Sequence, residues 1–167
     1  LVSRYGHCMY DLLARWRMGE LPVQRPVVIS NHDDLKTAVS DFGIAYHHVP
    51  ITDATRGDQE QKILDLLERE RVDVVVLARY MQILTDCIVD RYANRIVNIH
   101  HSFLPAFAGG RPYHQAHERG VKVIGATAHY VTSQLDQGPI IEQDVVRVSH
   151  RDTVEDMIHK GRDLEKV

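Results

Sequence analysis

The sequence is poor in cysteine, in long apolar runs and in net charge. Its two cysteines, Cys8 and Cys87, stand far apart with no C-x-x-C spacing. That argues against a disulfide-stapled secreted scaffold and for a reducing, cytoplasmic setting, with both thiols read as buried apolar residues. No apolar run approaches the ~20 residues of a membrane span, and the N-terminus lacks the charged, apolar and small-residue parts of a signal peptide. Neither a membrane nor an export route is expected. A formal charge of −3 with a pI near 6.4 supplies no basic field, so nucleic acid is not an expected partner and a small ligand is. No Walker A loop, G-x-G-x-x-G or G-x-S-x-G elbow occurs, which removes the commonest signatures of nucleotide binding and serine catalysis. Internal repeats, low-complexity tracts and Pro/Ser-rich linkers are missing too.

What is there is a soluble-domain composition, 44% hydrophobic against 26% charged over 167 residues, enough to bury a core in a single domain. The chain opens without methionine at "LVS", which reads as the end of a strand, and closes inside the helix-like "DTVEDMIHKGRDLEKV". It is therefore expected to be a piece of a longer protein, cut at both ends.

Short β-rich runs alternate with helical patterns: "PVVIS", "VDVVVLA", "RIVNIH" and "VKVIGATAHYV". The run Val74 to Leu77 is continuously apolar, as in a strand covered on both faces of a parallel sheet. Between the strands, "DQEQKILDLLERER" puts Ile63, Leu64 and Leu67 on one face among charges, an amphipathic crossover helix. "HCMYDLLARW" and "DDLKTAVSDF" read likewise, the second with Asn31 as N-cap. The β-α-β-α order predicts an α/β fold, a doubly wound and mostly parallel sheet with helices on both faces. The loosest segment is "AFAGGRPYHQ", Ala106 to Gln115, where Gly109-Gly110 would permit a hinge or mobile lid.

Side chains two apart on a strand point the same way, so Asn98 and His100 leave "RIVNIH" on one face at its carboxyl end, the edge where open α/β sheets bind ligands. An amide donor beside an imidazole can steady negative charge growing on a carbonyl oxygen. The competing reading is that Asn98 caps a turn and His100 satisfies a buried carbonyl. Asp136, two residues before Gly138-Pro139 in "SQLDQGPII", is a carboxylate on a loop that could take a proton from an attacking group; Asp before Gly is equally common turn chemistry. His129 in "TAHYV" is structural or functional on the same footing. A zinc site drawn from His100, His101, His129 and Asp136 is conceivable, but adjacent histidines on a strand diverge and no H-E-x-x-H appears, so no metal is expected. Together, Asn98, His100 and Asp136 are what addition to a carbonyl carbon needs when the nucleophile is not a side chain.

In order and spacing, "VVVLARYMQIL", "NIHHSFLPAF", "GATAHYV" and "LDQGPII" resemble the 10-formyltetrahydrofolate-dependent formyl-transfer enzymes over nearly the whole chain. Within that family the double histidine of "NIHHSFLPAF" and the stretch "GRPYHQAHERGVKVIGATAHYV" resemble the deformylase branch, which hydrolyses the formyl group to formate and tetrahydrofolate. The resemblance implies a Rossmann-like formyltransferase fold, catalytic Asn98, His100 and Asp136, and 10-formyltetrahydrofolate as a substrate with no cofactor required. It further implies folate contacts from Met81, Gln82, Ile83 and Leu84, from Thr132, Ser133, Gln134 and Leu135, and from Arg56. His101 is left between placing the water, excluding a larger acceptor and capping the loop. The resemblance also implies a homo-oligomer in one-carbon metabolism serving purine biosynthesis, and an amino-acid-sensing (ACT) domain ahead of the catalytic one, expected to be missing from this piece.

One departure separates the branches. The glycinamide ribonucleotide transformylases carry a Gly-Ser-Asn turn after the first strand to hold a phosphate, and this chain has "RYGHCMY" there, keeping only Gly6. Without those donors at a helix N-terminus, water is the expected acceptor. Formyl transfer to an amine such as glycinamide ribonucleotide is the alternative, and a noncatalytic folate-binding sensor the remote one.

Overall fold

A computed structural model describes residues 1–52, 54–107 and 110–166, packed as two compact units, Leu1–Ile96 and Val97–Val167. In the first unit, β1 (Val27–Ser30) runs parallel to β2 (Ala45–His48) with Val27 opposite Ala45. Val2 forms single parallel bridges to Ser30 and to Ala78, at the end of β3 (Val75–Leu77). The opening "LVS" is thus a strand stub lying in a parallel row, as its apolar character predicted. Four helices accompany these strands: α1 (His7–Arg17), α2 (Lys36–Asp41), α3 (Arg56–Arg69) and α4 (Asp86–Arg91). Helix α3 buries Ile63, Leu64 and Leu67, the stripe its 3.6-residue period dictates.

The second unit is built differently. Strand β4 (Ile96–His100) pairs antiparallel with β5 (Val123–Tyr130), and β5 antiparallel with β6 (Ile140–Arg147). Helices α5 (Pro112–Glu118) and α6 (Val154–Leu164) complete it, and Tyr113, Ala116, Ile124, Val148 and Met157 form its buried centre. Thr153 and Asp156 exchange side-chain and backbone hydrogen bonds in a capping box that starts α6. The α/β class is as read, with parallel pairing in the first unit and an antiparallel meander closing the second. No helix among the described residues is long and apolar enough to cross a membrane.

Several local expectations are corrected. Asn31 caps no helix: α2 starts five residues later from Leu35, and the Asn31 carboxamide oxygen instead accepts from the Ser3 hydroxyl at 2.6 Å. The β3 run is not covered on both faces. Val75 and Leu77 are buried while Val74 and Val76 are 55% and 37% exposed, because apolar content alone carries no information about sides. Cys87 is exposed on α4, and only Cys8 is buried. The segment read as loose from Ala106 to Gln115 contains the first turn of α5, initiated by Pro112 at its preferred position; the hinge residue Gly109 lies outside the described residues.

Candidate active site

The chemistry-bearing side chains meet within the second unit. Antiparallel pairing puts Asn98 directly opposite His129 and His100 directly opposite Thr127, and since residues paired in this way share a face, all four side chains stand on the same side of the β4–β5 ladder. Thr127, fully buried, accepts from the Leu104 amide at 3.0 Å and from Gln143 Nε2 at 3.0 Å, and donates to the Ser102 carbonyl at 2.8 Å. One hydroxyl therefore ties down the segment that follows His100 and His101.

Asp136 arrives from the β5–β6 turn. Its backbone is left-handed, with φ +55°, a conformation Asp tolerates better than most residues. The turn is closed by Gly138, where an added Cβ would lie 1.6 Å from the Tyr130 carbonyl oxygen. The Tyr130 amide donates to the Pro139 carbonyl at 2.9 Å across the same closure. Thus anchored, Asp136 places a carboxylate oxygen 3.4 Å from His100 Nδ1 and 3.8 Å from His129 Nε2. The Asp136 side chain is 14% exposed and that of His100 7%. Asn98 Nδ2 lies 3.2 Å from His129 Nε2. The three residues singled out in the sequence, drawn from positions 38 apart in the chain (136 − 98), converge on one patch.

His101 stands edge-on to His100, ring centres 5.2 Å apart, and edge-on to Tyr113 at 6.0 Å. The Tyr113 hydroxyl donates to the buried Glu165 carboxylate at 2.7 Å, and Gly161 leaves room for it, since a Cβ there would meet that oxygen at 2.0 Å. A mostly apolar hollow of about 250 Å³ lies against His101, lined also by Ser102, Phe103, Phe107, Tyr113 and Val145. It includes none of Asn98, His100 or Asp136. Among the other expected folate contacts, Thr132, Ser133, Gln134 and Leu135 are all exposed just ahead of Asp136, with the Thr132 hydroxyl donating to the Gln134 carbonyl at 3.2 Å.

The remaining folate candidates lie in the first unit and form their own group. Met81 and Ile83 are exposed, Gln82 is partly so and Leu84 is buried. Arg56 donates to the Ile83 carbonyl at 2.9 Å, and the Met81 amide donates to Ser3 Oγ at 3.1 Å. Arg56 is thereby joined to the 81–84 segment, and two backbone groups of that segment are already engaged. Just before it, burial raises the Tyr80 phenol above its ordinary range, with the Glu60 carboxylate adding and Arg56 opposing. Glu60, itself buried, takes hydrogen bonds from the Thr85 amide and hydroxyl.

The residue underrated in the sequence is His129. Its partner 31 positions away is invisible to local periodicity; the available signal was alternation, which puts Thr127 and His129 on one face of "GATAHYV".

Comparison with known proteins shows the family. A family model described as formyl transferase matches residues 1–167. The chain is 61% identical over 166 residues to a formyltetrahydrofolate deformylase of Synechocystis, covering 99% of this chain and 58% of that protein. It is similar, with TM-score 0.96 and 55% identity, to the crystal structure of a formyltetrahydrofolate deformylase from Pseudomonas syringae, covering 99% of this chain and 55% of that one. It is similar at 35% identity and TM-score 0.91 to a glycinamide ribonucleotide transformylase from Symbiobacterium toebii, covering 99% and 79%. The chain thus spans about three fifths of the length of the curated relatives it matches.

Proposed function

Since the chain belongs to the formyl transferase family, we propose that it hydrolyses 10-formyltetrahydrofolate to formate and tetrahydrofolate. The observation that carries this reading is the approach of Asp136 to His100 beside Asn98. A carboxylate and an imidazole can take a proton from water while an amide N–H waits on the same face for the oxygen that becomes negative. Water attacks the formyl carbon, its proton passing to Asp136 directly or through His100. Asn98 and His100 hold the oxyanion. The tetrahedral intermediate collapses with cleavage of the carbon–N10 bond as the proton taken from water is handed to N10, so that tetrahydrofolate leaves as the neutral amine and formic acid ionises to formate.

In this reading Met81 to Leu84 and Arg56 of the first unit are contacts to the pterin and the folate tail, and Thr132 to Leu135 of the second unit are folate contacts as well. No metal or resident cofactor takes part, and the substrate is a freely diffusing cytoplasmic folate. The stretch Arg4 to Tyr10 keeps only Gly6 of the Gly-Ser-Asn turn, and the loss of the serine and asparagine donors supports water over a phosphorylated amine as acceptor. The transformylase neighbour keeps amine transfer as the second reading. Incubating the protein with 10-formyltetrahydrofolate in the absence of any amine separates them. Steady formate release supports hydrolysis; turnover only on addition of an amine supports transfer.

A further inference from the structure

We infer that His129 is a positioning residue for this reaction, holding the Asn98 carboxamide with its nitrogen presented for catalysis. The inference rests on the hydrolytic reading of the site. For a neutral His129 ring the geometry leaves one consistent hydrogen-bond assignment. His129 Nδ1 lies 2.9 Å from the Tyr130 carbonyl oxygen, which can only accept, so Nδ1 carries the proton. In the neutral ring Nε2 is then bare and needs a donor. Asn98 Nδ2, at 3.2 Å, supplies one of its two hydrogens, and the second is left for the oxygen of the formyl group. The opposite amide orientation would set a carbonyl oxygen against the bare Nε2 and withdraw the donor.

Two further features fit this role. His129 is 2% exposed, so water does not compete for Nε2. The ladder between β5 and β6 also shifts register between Ala128 and His129, the kind of bulge that re-aims a side chain beside an active site. The bare Nε2 offers nothing to Asp136 at 3.8 Å, so the carboxylate belongs to His100 at 3.4 Å. One histidine serves the oxyanion donor and the other serves the base.

The test compares His129→Gln, which keeps an acceptor, with His129→Met, which does not, in amine-free formate release. Expected are melting temperatures close to each other, KM within about threefold of wild type, and kcat lower in the Met variant than in the Gln variant by about tenfold or more, the scale of one oxyanion donor misplaced. Asn98→Ala should cost about 10²–10³-fold in the wild-type background and less than about fivefold in His129→Met. Equal kcat in the two variants, full multiplicativity with Asn98→Ala, or coupling to Asp136→Asn instead would overturn the assignment. Should His129→Met not fold, ¹⁵N shifts of His129 in the wild type decide: protonated Nδ1 with bare Nε2 supports it, and the reverse tautomer refutes it. Wild-type formate release run alongside judges the hydrolytic reading separately, since the tautomer is read without turnover.

Discussion

Replacing Asp136 by Asn tests the proposed base with little structural disturbance. The two side chains are nearly isosteric, and Asn is among the few residues at ease with the left-handed φ of +55° found here; Ala would add strain and confuse the result. What the substitution removes is a charge 3.4 Å from His100 Nδ1. At an effective dielectric of ~20, suited to a pair this little exposed, a carboxylate and an imidazolium at that distance attract by about 5 kcal/mol, or about three and a half decades of rate if it all acts in the transition state. A displaced general base typically costs ~10²–10⁴-fold, which brackets the same figure. Asp136→Asn is therefore expected to lower kcat for amine-free formate release by about 10³-fold, with KM for 10-formyltetrahydrofolate within a few fold and the melting temperature unchanged. Turnover within tenfold of wild type would show that neither the proton transfer nor the imidazolium depends on this carboxylate.

The fold makes further predictions. Thr127→Val leaves the Leu104 amide and Ser102 carbonyl without their hydroxyl partner and should cost ~2–4 kcal/mol in urea unfolding; a loss below about 0.5 kcal/mol would show that the segment after His101 does not depend on it. Tyr80→Phe should be neutral or stabilising near pH 8, because the buried Tyr80 hydroxyl has no hydrogen-bond partner among the described residues. The same variant should also resist alkali better. Burial holds the folded phenol's pKa above the ordinary 10.0, so the stability tied to its neutral form is present below pH ~10 and drains as pH rises past that value. Urea midpoints at about pH 8 and pH 11 should fall less in Tyr80→Phe than in wild type, and equal falls would contradict this. Tyr46 and Tyr92, raised by burial as well, account for the decline that persists.

Much of the site was legible because it depends on local rules. The two-residue period of "RIVNIH" put Asn98 and His100 on one face, and the turn chemistry of "LDQGP" marked Asp136 as a loop carboxylate. What local rules miss is who lies opposite whom. His129 gains its meaning from standing across from Asn98, and Thr127 from reaching Ser102, Leu104 and Gln143; both depend on strand pairing between distant segments. Asn31 shows the reverse failure, for a good capping residue was claimed by Ser3 from 28 positions away. Strand β2, "AYHH", was passed over because its half-buried, polar composition carries no strand signal. The direction of β5 was hidden as well, since an apolar run reads the same parallel or antiparallel.

Gly138 sets a boundary for anyone who wants to retool this site. With no space for even a methyl group against the Tyr130 carbonyl, any other residue at that position disrupts the hairpin that delivers the carboxylate. A randomised library can spend its diversity on 132–135, where exposed side chains face outward, and must keep the glycine fixed. Variants with altered acceptor preference are to be sought upstream of that pivot.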